Sequence, residues 1–459
     1  MPASRVSPTP ARRSTAPGND KARTIPTSPD PHASALVTLT GHDRPGLTSA
    51  LFTALAGVDD QSAIEILDVE QVVIRERLVL GVLLRSHLDG RALQDVAAKV
   101  GADTGMQVDV SFGADARDLT EHRRGRHHVI VLGRPLRAAA LSSVATAIAE
   151  IGANIDSISR LSDYPVTSLE LMVSGAKSGR LRTVLSNAAA DTGVDIAVEK
   201  AGLHRRSKRL IVMDVDSTLV QGEFIDVLAA RAGCGEQVAA ITAAAMRGEL
   251  DFSEALRTRV LMLRGLAVEE IDAARATVPL TAGARTLVRT LKRMGYQCGI
   301  VSGGFSQFTD HLAAELDMDF AAANTLEIED GRLTGRLVGE ILDRAGKARA
   351  LARFAAAAGV PMSQTVAVGD GANDLDMLKK AGLGIAFNAK PAVREQAHIA
   401  LNQPFLDAIL FFLGISRADV DSAEDTTTED DSSALDDSAA LEAHREWIRV
   451  TRDANPPTI

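Results

Sequence analysis

A chain of 459 residues, 46% hydrophobic and 24% charged, exceeds one typical domain and has apolar material for roughly two to four. Its formal charge of −10 is local. Residues 417–459 hold twelve Asp or Glu against four Arg, so the remainder is near neutral and a nucleic-acid binder is excluded. No apolar run approaches the roughly 20 residues that span a bilayer, and two cysteines in no metal spacing, Cys234 and Cys298, point to a reduced, cytoplasmic protein without a membrane or secretory segment.

Residues 1–33 are rich in Pro, Ser, Thr and Arg and lack periodicity, so a disordered leader is expected. Residues 34–114 then read β-α-β-β-α-β. Leu36–Thr40 is a strand, 41–46 a turn and Leu47–Leu55 a helix. Two strands meet at Arg75-Glu76-Arg77, a helix covers Leu93–Val100, and Gln107–Phe112 closes the unit. Residues 126–200 repeat the same order, from the strand His128–Leu132 to the strand Asp195–Val198. A tandem repeat of one small α+β unit is a strong architectural signal.

Both repeats resemble the ACT domain, a ferredoxin-like module. The residues that carry this are His42-Asp43-Arg44-Pro45-Gly46 in the first and Gly152-Ala153-Asn154-Ile155 in the second. The resemblance implies an amino-acid effector, serine being the candidate, and a homodimer. The second repeat has Arg134-Pro135-Leu136 in place of the D-x-P-G turn, so ligand binding is expected first at the other copy.

A basic connector, 200–208, leads into a long α/β stretch, 205–413. Its first strand, Leu210–Met213, is an apolar run that reads as buried on both faces, and it releases Asp214 and Asp216 at its carboxyl end. Ligands of open α/β sheets bind at that end. Helical segments at Phe224–Ala232, Gln237–Arg247 and Ser253–Leu263 suggest a cap over about 224–278. Further strands are expected at Gln297–Val301, Asp319–Asn324, Thr365–Val368 and Gly384–Phe387, with a hairpin around Glu329-Asp330-Gly331. Strand–helix alternation means a parallel sheet. Residues 417–459 are expected to form an acidic, flexible tail.

Two carboxylates leaving an apolar strand require a cation or a proton. Three further clusters fall at element boundaries: Val301-Ser302-Gly303-Gly304, read as opening a helix; Lys347, read as preceding the helix Ala348–Ala357; and Gly369-Asp370-Gly371-Ala372-Asn373-Asp374. Together they offer oxygen ligands for a hard cation such as Mg²⁺, and a hydroxyl, amides and an ammonium for a phosphate. Phosphoryl transfer is the economical reading. An EF-hand is excluded because Leu219 and Ile225 stand where Gly and Glu are needed. No dinucleotide fingerprint and no P-loop lysine motif occurs.

These four clusters, in order, resemble the haloacid-dehalogenase superfamily. Within it, residues 205–413 are similar to phosphoserine phosphatases through Gly222-Glu223-Phe224-Ile225-Asp226, 246–252, 256–260 and Val301-Ser302-Gly303-Gly304-Phe305. The implied fold is a Rossmann-like parallel sheet with a helical cap. The implied reaction is Mg²⁺-dependent hydrolysis of O-phosphoserine, the last step of L-serine biosynthesis, through an aspartyl-phosphate. Asp214 would be the nucleophile and Asp216 the general acid and base. Asp214, Asp370 and the backbone carbonyl of Asp216 would hold the metal, with Asp374 supporting it. Ser302, Gly303, Lys347 and Asn373 would bind the phosphoryl group. Glu223 would take the substrate ammonium and Arg259 its carboxylate, under a cover of Met246 and Phe252. Two other readings stay open: a phosphatase or phosphotransferase for a related phosphomonoester, and an amino-acid sensor with a vestigial phosphatase domain.

Overall fold

The structure is a computed structural model that describes residues 34–57, 64–86, 90–113, 125–246 and 249–425. The expected leader, Arg247, and the tail beyond Asp425 lie outside the described residues.

Strands β1 (Ser34–His42), β2 (Ile64–Ile74), β3 (Arg77–Ser86) and β4 (Gln107–Phe112) form an antiparallel sheet in the order β2-β3-β1-β4. Leu47, Leu51 and Leu55 recur every four residues on the helix Leu47–Ala56, so they share one face. That face packs with Leu93, Val96 and Val100 of the helix Gly90–Thr104 over Val37, Leu39, Leu80 and Val82. The first helix starts on Gly46, whose φ of 96° is the left-handed conformation that favours glycine.

The second unit repeats this design with β5 (His127–Gly133), β6 (Asn154–Ser162), β7 (Thr167–Ser174) and β8 (Asp195–Lys200), in the order β6-β7-β5-β8. Val129, Val131, Leu171 and Val173 face its two helices. The other face is covered too. Ile130, Leu132, Val166 and Ala197 are buried in one core with Phe405, Leu406 and Leu410 of the C-terminal domain. That is why His-His-Val-Ile-Val-Leu reads as a nearly continuous apolar run rather than an alternating one. The connector proves to be part of this junction. Arg205 is buried and donates from Nε to the Phe412 carbonyl and from Nη2 to the Phe411 carbonyl, both at 3.0 Å, while Nη1 pairs with Glu170. On the same interface the Asp195 carboxylate accepts from Asn402 N at 2.8 Å and Nδ2 at 2.6 Å.

The C-terminal domain is built on a seven-stranded sheet in the order β12-β11-β10-β9-β13-β14-β15. Its strands are β9 (Leu210–Met213), β10 (Gln297–Phe305), β11 (Phe320–Glu329), β12 (Arg332–Val338), β13 (Thr365–Gly369), β14 (Leu383–Phe387) and β15 (Ile399–Leu401). All pairs are parallel except the β11–β12 hairpin. Strand β9 is central and wholly buried, as its composition requires. Four helices make the cap: Phe224–Arg231, Gly235–Met246, Phe252–Met262 and Val268–Arg275. The third opens on a capping box of Asp251 and Glu254, a motif in which the cap residue alone is worth about 1 kcal/mol. Phe224 of the cap stacks on Phe308 of the sheet domain at 4.1 Å between centroids.

Three expectations need correction. Lys347 does not precede its helix but lies inside it, because the helix starts at Arg344 with Asp343 as its cap, accepting from Gly346 N at 2.6 Å. Gly303 and Gly304 do not open a helix. Strand β10 runs on to Phe305 and the next helix starts at Ser306. The first part of the acidic tail is ordered: Arg417–Asp425 is a helix, anchored by Val420 buried in the main core.

Candidate active site

The backbone sets the site before any side chain does. Asp214 N donates to the Val368 carbonyl at 2.9 Å, extending the β9–β13 ladder by one residue. The chain then turns sharply, with Ser217 at a φ of 57°. Asp214 is thereby fixed at the sheet's carboxyl edge with only 3% of its surface exposed. Lys347, buried to 1%, bridges Asp214 Oδ1 at 2.8 Å and Asp374 Oδ1 at 2.7 Å. The other Asp374 oxygen accepts from Gly371 N at 3.0 Å.

Asp216 points to a different set of partners. Its Oδ1 accepts from Phe224 N at 2.8 Å, and its Oδ2 accepts from the Ser302 hydroxyl at 3.0 Å. Gly304 N in turn donates to Ser302 Oγ at 2.7 Å. A Cβ on Gly304 would lie 2.9 Å from both Asp216 Oδ2 and Ser302 Oγ, so only glycine fits this approach. Glu223 accepts from Ser217 Oγ at 3.4 Å. Arg259, on the third cap helix, donates to Thr242 Oγ1 and to the Ala255 carbonyl, each at 3.4 Å.

These residues surround one cavity of about 660 Å³. Asp214, Asp216, Glu223, Phe252, Arg259, Gly303, Asp370 and Asn373 all line it, so the structure gathers residues from both cap and sheet. Ser302 and Lys347 sit behind that lining as buried partners of Asp216 and Asp214. The Met246 side chain, the other expected cover, lies outside the described side chains. Two polar cavity residues escaped the sequence reading, Asn388 and Lys390. They follow the carboxyl end of β14, so the rule that exposed Asp214 could have found them. Thr218 was also missed. It is wholly buried, and its hydroxyl donates to Asp370 Oδ1 at 3.4 Å.

The cavity holds too much negative charge for its burial. Desolvation raises Asp214 well above the ordinary carboxylate range, and neighbouring Asp374 adds to it, against the opposing effect of Lys347. Burial also raises Asp216, although the Phe224 amide and Ser302 hydroxyl hold it back. Asp370 is pushed up to about 6 by burial and then by Asp374. Glu223 is pushed up to about 7 by burial and then by Asp216 and Asp370. Burial opposes the charge on Lys347, but Asp214 and Asp374 outweigh it and raise its pKa. Carboxyl oxygens of Asp214, Asp370 and Asp374 lie within 4.8 Å of one another. Such an all-oxygen, over-charged donor set fits a hard divalent cation. The Asp216 side chain stays out of this trio.

Comparison with known proteins places the chain in a family. Residues 211–379 match the haloacid dehalogenase-like hydrolase family, and residues 34–111 and 125–199 each match the ACT domain. The chain is 56% identical over 393 residues to a phosphoserine phosphatase of Streptomyces coelicolor, covering 85% of this chain and 94% of that protein. This chain belongs to the phosphoserine phosphatase family. It is likewise 55% identical over 396 residues to phosphoserine phosphatase SerB2 of Mycobacterium tuberculosis, covering 85% of this chain and 95% of the relative. Among solved structures, a probable phosphoserine phosphatase from Vibrio cholerae matches with a TM-score of 0.51 and 34% identity, over 64% of this chain and 88% of that one. This chain's two front modules are therefore ACT domains, followed by the hydrolase domain.

Proposed function

We propose that this chain hydrolyses O-phospho-L-serine to L-serine and phosphate, with Asp214 as nucleophile. The observation that carries the reading is the single cavity in which Asp214 and Asp216 meet Glu223 and Arg259. A phosphate, an ammonium and a carboxylate on one small substrate match those groups in charge.

Among the described residues, Asp214 Oδ1 takes both the Lys347 and the Val215 N–H contacts, which leaves Oδ2 to attack. Oδ2 forms a bond to phosphorus as the seryl oxygen–phosphorus bond breaks, and Asp216 gives its proton to the leaving oxygen. The raised pKa of Asp216 supplies that proton. In the second half, Asp216 takes a proton from water, whose oxygen attacks phosphorus and releases Asp214. Lys347 holds the nucleophile and stands beside the transferred group, and the Ser302 hydroxyl fixes the carboxyl that moves the proton. Mg²⁺, held by Asp214, Asp370 and the Asp216 carbonyl, would neutralise the phosphoryl oxygens when bound. Asp374, braced by Lys347 and Gly371, supports that set. Arg259 binds the substrate carboxylate and Glu223 its ammonium.

The buried free thiols Cys234 and Cys298 suit a reducing cytoplasm. None of the helices among the described residues is long and apolar enough to cross a membrane. A homodimer through the ACT domains is supported by Val72, Val73 and Ile74, exposed on the edge strand β2. Serine is the candidate effector, at the 42–46 turn.

A phosphate-release assay over a panel of esters tests the reading. Wild type should favour O-phospho-L-serine, Asp214→Asn should abolish turnover, and Glu223→Ala and Arg259→Ala should raise KM for phosphoserine far more than for p-nitrophenyl phosphate. Equal use of unrelated esters would favour the related-phosphomonoester reading. No turnover with serine still bound would favour the sensor.

A further inference from the structure

Asparagine is a poor strand residue, and its amide is costly to bury unless all its groups are paired. Asn324 nevertheless sits in the middle of β11, 3% exposed. Its position explains the choice. The β10–β11 register shifts between Val301 and Phe305, so residues 302–304 fall outside the regular ladder. The Gly303 carbonyl is in that gap, and Asn324 Nδ2 donates to it at 2.8 Å. On its other side, Asn324 Oδ1 accepts from Leu342 N at 2.7 Å. This pairing fixes the orientation of the amide, since the reverse would set N–H against N–H and oxygen against oxygen.

Leu342 stands directly before Asp343, the cap of the helix that carries Lys347. Asp343 accepts from Gly346 N through its side chain and from Lys347 N, at 2.9 Å, through its carbonyl. One buried amide thus joins the Ser302–Gly304 segment on β10 to the start of the Lys347 helix. These two segments carry Ser302 and Gly303 on one hand and Lys347 on the other, which contact Asp216 and Asp214 respectively through Ser302 and Lys347.

We propose that Asn324 is a positioning residue for phosphate binding: it sets the spacing between the Ser302–Gly304 segment and Lys347, and touches no substrate itself. The proposal rests on the phosphoryl-binding role given above to Ser302, Gly303 and Lys347. A displacement of about 1 Å at such groups is enough to weaken an oriented site severely.

Two full-length variants test this. Asn324→Asp keeps the acceptor for Leu342 N but sets an oxygen against the Gly303 carbonyl. Asn324→Ala removes both bonds without adding charge, and stands in where the aspartate variant does not fold. The readouts are the dissociation constant of inorganic phosphate by calorimetry, KM and kcat for phosphoserine and p-nitrophenyl phosphate, and the thermal midpoint. We expect phosphate to bind at least tenfold more weakly to either variant, with KM for both esters rising in parallel and kcat falling as well, since Ser302 also holds Asp216 and Lys347 also holds Asp214. A purely structural role would lower the midpoint and the active fraction while leaving the phosphate constant and KM of the folded enzyme within twofold of wild type. That result overturns the proposal. Phosphate binding is read without turnover, so a wild type that ignores phosphoserine would refute the substrate and still leave this comparison decisive.

Discussion

Replacing Lys347 by methionine, which keeps the stem and removes the ammonium, strips the compensating charge from the centre of the domain. Lys347 is 1% exposed and bridges two carboxylates, both at ordinary hydrogen-bond distance. Taking one partner from a buried ion pair costs about 3–5 kcal/mol, because the remaining charge is left uncompensated. Here two are left, Asp214 and Asp374, beside Asp370. The upper half of that range is the expectation for the metal-free protein in EDTA, read as the shift in urea midpoint times the slope. Excess divalent cation should recover part of the loss, since an ion bound only by the folded state stabilises it. Methionine should also lower kcat/KM by at least a hundredfold, the scale for losing one oriented electrostatic contact to a reacting group. A variant within about 1 kcal/mol of wild type in EDTA would refute the argument, for it would mean that the acidic trio sheds its charge by protonation without needing Lys347.

Two more outcomes follow from the geometry. Gly304→Ala places a methyl group 2.9 Å from both Asp216 Oδ2 and Ser302 Oγ. It should cut kcat more than tenfold by displacing Asp216, the carboxyl proposed to transfer the proton, while a thermal shift shows the fold intact; unchanged kcat would mean the end of β10 gives way freely. Glu170, held by His128 and Arg205 against the opposing effect of burial, has its pKa lowered from 4.5 to about 2. A lowered folded-state value means its stabilisation is complete above the unfolded pKa and is lost as pH falls below 4.5 towards 2. With its side chain 18% exposed, the whole contribution is on the order of 2–3 kcal/mol. Urea midpoints of wild type should therefore fall more steeply below pH 4.5 than those of Glu170→Gln, and parallel curves would show that the pair carries no linkage.

What the sequence showed and what it hid divide along a physical line. Leu210–Met213 could be read as central because a strand buried on both faces must be apolar throughout, and the acids that follow it must then stand at the sheet edge. The cap helices with apolar spacing were equally legible, whereas Val268–Arg275, which opens with two glutamates, was passed over. β15 is only three residues, too short for any period to register. Lys347 reads as standing just before its helix because Gly346 interrupts the helical pattern, although the Gly346 amide is the one that Asp343 caps. Hardest to see were buried polar groups whose partners are distant in the chain. Asp195 meets Asn402 and Arg205 meets Phe412 across 207 positions. No local pattern marks such a residue as anything but a surface charge.

Those long-range pairs alter what the second ACT domain can do. A ferredoxin-like sheet has one face covered by its own helices and one face free. In this domain the free face is spent: Ile130, Leu132, Val166 and Ala197 are buried with Phe405, Leu406 and Leu410. Burying side chains of this size is worth roughly 1.5–3 kcal/mol each for the larger ones, and Asp195 and Arg205 add directional bonds to backbone groups of the hydrolase domain. Separating the two domains would expose that surface and break those bonds together. The second ACT domain is therefore a structural extension of the hydrolase core. Arg134, at the turn where a ligand-binding loop would stand, lies over the Phe405 ring at 5.0 Å, so even this turn is engaged with the hydrolase.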